Sequence, residues 1–143
     1  MSKGNTYEND LMLLIFNATA IANIADNAAS SPLTNLYVSL HTADPGEGGN
    51  QTTNECTYGS YARVAVARSG SGWTVSGNEA TNAALVQFPQ CSSGSETATH
   101  VGVGTAASST GKMLYSGALS AGLAISSGIQ PQFAAGDLDI TED

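Results

Sequence analysis

From residue 6 to about residue 26 the apolar positions recur at helical spacing, and from residue 36 onward they alternate with a period of two. Asn5 stands where a helix N-cap belongs, Glu8 follows three positions later, and neither Pro nor Gly interrupts the chain before Pro32. This pattern predicts one helix over residues 6–26. On a helical wheel of ~100° per residue, Tyr7, Leu11, Leu14, Ile15, Ala18, Ile21, Ala22 and Ala25 form an apolar face, expected to lie on the domain's own core. Met12, Leu13, Phe16, Ala20 and Ile24 fall on the other side, among Asn9, Asn17 and Asn23. A helix that is apolar on two sides needs two covers. Loops of the same domain or a neighbouring chain can supply the second cover. The reading favoured from the pattern is a subunit interface at Met12, Leu13, Phe16, Ala20 and Ile24.

After Ser30-Ser31-Pro32 the period changes, and Leu36, Val38 and Leu40 alternate with Tyr37, Ser39 and His41. Further strand-like runs cover residues 61–67, 83–88, 99–104, 112–119, 123–126, 130–134 and 138–141, separated by turns rich in Gly, Ser and Asn. Short strands at this spacing predict a mainly β fold, an antiparallel sandwich or jelly-roll-like domain carrying one N-terminal α-helix. The expected organisation is a single domain, residues 1–143, with the N-terminal helix in 1–27, a linker at 28–35 and the β domain at 36–143. The connection from Thr42 to Gly59 exceeds the usual loop length and is expected to reach out from the sheet.

Composition narrows the function. Twelve acidic residues against four basic ones, Lys3, Arg63, Arg68 and Lys112, give a formal net charge of -8. Such a chain has no cationic stripe to displace counterions from a phosphate backbone, so no nucleic-acid partner is expected. No apolar run approaches the ~18 residues of a membrane span, and no membrane partner is expected. Leu11 to Phe16 followed by Ala18-Thr19-Ala20 imitates a secretory signal, but Glu8 and Asp10 stand where positive charge belongs. The expectation is therefore a protein made in the cytoplasm. Cys56 and Cys91 lie in polar, loop-like sequence without a CxxC pair, which favours free thiols.

Catalytic signatures fail one after another. The segment Gly104 to Met113 has Ala106 where a phosphate-binding loop needs Gly and Met113 where it needs Ser or Thr, so it reads as a hairpin turn. Gly102 and Gly104 lack the third glycine of a dinucleotide site and read as places of close packing within a strand. His41 and His100 could each serve a nucleophile, yet no GxSxG elbow accompanies them; His41 is expected to bond the Asp44 turn. Asp137 and Asp139 share a face of the final strand, but two carboxylates are too few for calcium. Trp73, Tyr58, Tyr61 and Tyr115 fit core packing or an interface better than a sugar platform. No catalytic, cofactor-binding or metal-binding residue is assigned, no cofactor is expected, and the protein is read as a non-enzyme.

Five blocks in order do carry a resemblance. Leu36-Tyr37-Val38-Ser39-Leu40-His41-Thr42-Ala43-Asp44-Pro45-Gly46 resembles the opening strand and turn of a family of small tailed-bacteriophage virion proteins often labelled tail-fibre-like. Gly59-Ser60-Tyr61-Ala62-Arg63, Thr99-His100-Val101-Gly102, Leu114-Tyr115-Ser116-Gly117-Ala118-Leu119 and the stretch from Phe133 to Thr141 are similar to its later blocks. The chain departs at Val101, Gly102, Val103 and Gly104, where relatives carry larger apolar residues. The resemblance implies a structural virion protein, with capsid decoration or cement as the leading role and a tail or tail-fibre component as the alternative. The partners it implies are the major capsid protein and further copies of the chain, a homotrimer before a homodimer, at the capsid surface of the virion.

Overall fold

The computed structural model describes residues 5–21, 25 and 32–142. It is mainly β, with one N-terminal helix and three sheets, as the alternation of the sequence implies. The chain forms two compact units and crosses between them repeatedly: one takes residues 1–35, 66–85 and 133–143, the other 36–65 and 86–132.

In the first unit, α1 (Asn5–Asn17) packs on the hairpin of β3 (Trp73–Ser76) and β4 (Glu79–Asn82), and β9 (Asp139–Thr141) extends that sheet. The hairpin turns at Gly77-Asn78, with Gly77 at φ 63. A glycine first in a two-residue turn accepts that backbone without a Cβ penalty. Met12 and Phe16 are completely buried, and the Phe16 ring meets Trp73 edge-on at 4.7 Å between centroids. This corrects the expected facing of the helix. The Met12 and Phe16 side lies in the chain's own core, while Tyr7 is 41% exposed and Leu11, Leu14 and Ile15 are only half-buried. The physical reason is the hairpin β3–β4, which supplies a packing surface where none was expected.

The helix also stops at Asn17 rather than near residue 26. Ala18 takes a left-handed backbone, φ 54, and the Thr19 amide returns to the Leu13 carbonyl at 3.1 Å. Arg68 holds this end: Nε donates to the Ile15 carbonyl at 2.7 Å and Nη2 to the Leu14 carbonyl at 2.6 Å. The last carbonyls of a helix have no intrahelical donor, and a guanidinium satisfies them with favourable charge. Beyond the helix, Ile21 and Ala25 exchange backbone bonds of 2.8 Å in both directions. At the other end of the unit, buried Asn82 gathers three segments: Nδ2 donates to the Ala84 and Ala134 carbonyls, and Oδ1 accepts the Leu138 amide. Asp137 precedes the final strand and its carboxylate accepts the Ala134 amide at 2.7 Å, so it serves a turn rather than sharing a strand face with Asp139.

The second unit is built on β1 (Asn35–His41), β6 (Ser95–Gly104) and β7 (Met113–Ser126), antiparallel neighbours in the order β2-β1-β6-β7 with β2 (Val64–Ala67) at one end. Two short strands, β5 (Val86–Gln87) and β8 (Gln132–Phe133), pair separately. The two apolar runs expected at 112–119 and 123–126 are one strand, β7, carrying a wide bulge: Leu119–Gly122 stand opposite Thr99 alone. Leu36, Val38 and Leu40 bury one face of β1, as their alternation predicts, but Ser39 and His41 on the other face are buried too. What covers that second face is the long connection, residues 42–59. Instead of reaching outward, it returns across the sheet: the Thr42 amide donates to the Asn54 carbonyl and the Cys56 amide to the Leu40 carbonyl, each at 2.8 Å.

Candidate functional site

Three of the buried polar side chains among the described residues, Ser39, His41 and Gln51, lie together under that returning loop. Register places Tyr37, Ser39 and His41 of β1 directly beside Gly104, Gly102 and His100 of β6, so the two glycines leave a trough on one face. Gln51 fills it, fully buried: its Oε1 accepts the Ala106 amide at 2.9 Å and its backbone amide donates to the Gly111 carbonyl at 3.0 Å. A Cβ at Gly104 would overlap the Gln51 side chain, and one at Gly102 would come within 2.7 Å of Met113 Sδ and 2.8 Å of His41 Nε2. Gly102 and Gly104 therefore supply the space that a buried glutamine and histidine occupy.

His41 bonds Thr53, not the Asp44 turn. Its Nδ1 donates to the Thr53 carbonyl at 2.9 Å, which leaves Nε2 to accept from Ser39 Oγ at 2.8 Å. A serine on a histidine is the geometry of an activated nucleophile, but here both side chains are 0% exposed and the third partner is a carbonyl rather than a carboxylate. No substrate reaches them. Burial lowers the His41 pKa from the ordinary 6.5, against the upward pull of the Thr53 bond and Glu55. Since the unfolded chain binds that proton more readily than the native one, stability is retained above about pH 6.5 and is lost as pH falls below it. The melting temperature is expected to fall between about pH 7 and about pH 5, and His41→Asn should flatten the profile in that window. A wild-type profile with no slope there contradicts the account.

Beside this layer, Glu55 is the centre of a second network. Arg63 Nε approaches Glu55 Oε1 at 2.6 Å and Nη2 approaches Oε2 at 2.7 Å, while the Tyr61 hydroxyl donates to Oε1 at 2.9 Å. The same guanidinium reaches the Ala106 and Ser109 carbonyls, each at 2.9 Å, and the Tyr61 oxygen accepts the Leu40 amide at 3.0 Å. Glu96 acts similarly on the neighbouring loop, where its Oε1 accepts the Thr57 and Tyr58 amides. Cys56 and Cys91 are both free and buried, and burial, helped by Glu96, pushes the Cys56 thiol up to about 12. A thiol so placed is inert.

The accessible feature is different in kind. A half-open cavity of about 510 Å³ lies between the Asp44–Glu47 turn and the strand residues Met113, Leu114, Tyr115 and Ser116. Four consecutive strand residues of both parities line it, so it follows the strand rather than one face of the sheet. Trp73 and Tyr58 are buried, whereas Tyr115 reaches this cavity.

The five residues expected at an interface divide. Met12 and Phe16 are interior, Leu13 is half-buried, Ala20 is exposed beyond the helix end, and Ile24 lies outside the described residues. Sequence reasoning missed Gln51, Glu55 and the hairpin β3–β4. The hairpin had a signal, Gly77-Asn78 between two four-residue strands; the two loop residues had none. The family model described as Podophage GP4 fiber I protein gp80 matches residues 5–141 of the chain. No curated protein matches it.

Proposed function

The chain belongs to the Podophage GP4 fiber I protein gp80 family, a structural protein of fibre type from tailed-phage virions, and from that premise we propose that it is a non-enzymatic subunit mounted on the tail or its fibres. The observation that carries this reading is the family match over residues 5–141. It is supported by the chemistry of the interior: the one serine–histidine pair described above is sealed and lacks a carboxylate. The protein then works by contact with neighbouring virion chains. Within the virion, tethering several weak contacts raises avidity by about 10²–10⁴ without new chemistry at any one of them.

Capsid decoration is the second reading. It is favoured by the absence of heptads or fibrous repeats in the sequence, which an extended fibre shaft would need. Its partner would be the major capsid protein. Locating the density in a reconstruction of the whole particle, together with copy number by quantitative mass spectrometry, separates the two. A few copies confined to the tail support the first reading; copies spread over the shell in proportion to the capsid protein replace it with the second.

A further inference from the structure

The returning connection is tied at a neck. There the Thr42 amide and hydroxyl both donate to the Asn54 carbonyl, at 2.8 Å and 3.2 Å, and Asn54 takes a left-handed backbone, φ 54. Asn54 Nδ2 also donates to the Asp44 carbonyl at 3.0 Å, which closes residues 43–53 into a compact loop whose ends meet. Thr53 and Gln51 pin that loop down. The Thr53 carbonyl accepts from His41 Nδ1, the Gln51 amide donates to the Gly111 carbonyl, and Gln51 Oε1 accepts the Ala106 amide. Beyond the neck, Glu55 and Cys56 have their own anchors in Arg63 and the Leu40 carbonyl.

We propose that residues 43–53 are an acid-released strap, closed over the trough at Gly102 and Gly104 while His41 is neutral and lifted on the Thr42–Asn54 neck when His41 takes a proton. The neutral ring suits the closed strap, with Nδ1 donating to Thr53 and Nε2 accepting from Ser39 Oγ. A proton arriving on Nε2 turns that acceptor into a donor. Ser39 must then turn its own hydrogen to the Gly102 carbonyl, 3.4 Å away, and a full charge is left with no exposed surface. The charged and titratable groups that face His41 are Glu55 at the foot of the strap, Arg63 on the segment leading to β2 and His100 opposite it on β6. Glu55 is already committed to Arg63 at 2.6 Å, and β7 brings Met113, which has no charge. Lifting the strap admits water to the imidazolium and leaves the Glu55–Arg63 pair in place. It also takes away the wall that the Asp44–Glu47 turn gives the half-open cavity, and it bares the backbone at Gly102 and Gly104. The device works in the same way wherever in the virion the protein sits.

Amide hydrogen exchange of the full chain, read residue by residue by NMR from about pH 7.5 to about pH 5 and corrected for the intrinsic pH dependence of exchange, is the test. The Gln51 and Ala106 amides report lifting of the strap. The Cys56 and Ala83 amides, bonded to the Leu40 and Gly72 carbonyls, report structure that stays closed. Below about pH 6.5 the protection of Gln51 and Ala106 should fall by up to about tenfold per pH unit, the linkage of one proton, and both should exchange ahead of Cys56 and Ala83. His41→Asn, whose side-chain amide still offers Thr53 a donor, should abolish that dependence, and His100→Gln should leave it. Gln51 and Ala106 amides that share the protection of Cys56 and Ala83 at every pH, or that show no pH dependence, overturn the proposal. So does a dependence that persists in His41→Asn or vanishes in His100→Gln. Should His41→Asn fail to fold, the wild-type rates and His100→Gln decide alone.

Discussion

Replacing Arg63 with alanine should destabilise the protein by about 3–5 kcal/mol, the usual cost of leaving a buried charge without its partner. The side chains of Arg63 and Glu55 are only 3% and 13% exposed, so solvent screens the pair little. The substitution strands the Glu55 carboxylate and also removes the donors that the Ala106 and Ser109 carbonyls use. Three pieces of chain lose their common anchor: the end of the long connection, the start of the segment leading to β2, and the β6–β7 turn. Chemical denaturation reads the loss directly. Removing both charges, Arg63→Met with Glu55→Leu, should cost clearly less than Arg63→Ala alone, since no orphaned ion remains. If Arg63→Ala costs under about 1 kcal/mol, the pair behaves like an exposed surface bridge and the account of the network fails.

Phe16→Ala should cost a similar amount, about 3–5 kcal/mol, as aromatic truncation in a packed core does. Phe16 has no exposed surface and lies edge-on to a fully buried Trp73. The loss is expected entirely in the unfolding free energy of the single chain. Self-association measured on the folded variant should be unchanged, because the residue has no surface to offer a neighbour. A variant with native stability but weakened assembly would return Phe16 to an interface and overturn the packing described for α1.

Comparison of these two sites shows what kind of information each depends on. The Phe16 cluster was half legible: helical periodicity from Asn5 onward marked Phe16 as apolar and in need of cover, but not which cover. That answer depended on the hairpin β3–β4, whose Gly77-Asn78 turn is a local signal and could have been read. The Glu55 network was not legible at all. The Arg63 bond to the Ser109 carbonyl alone spans 46 residues of sequence, and nothing in the local pattern of a loop announces a partner so distant. Gln51 is similar, a polar residue in a polar stretch whose burial follows only from glycines on β6.

By itself the sequence determined the elements whose causes are local. Alternation made β1, β6 and β7 strands, and helical periodicity marked the segment that α1 occupies. The tertiary structure alone decided where the helix stops, because the group that satisfies the carbonyls of Leu14 and Ile15 is Arg68, 53 residues beyond Ile15. It also decided which helix face turns inward and that the connection 42–59 folds back. Those outcomes depend on pairing groups far apart along the chain, and periodicity, capping and turn propensity act only between neighbours.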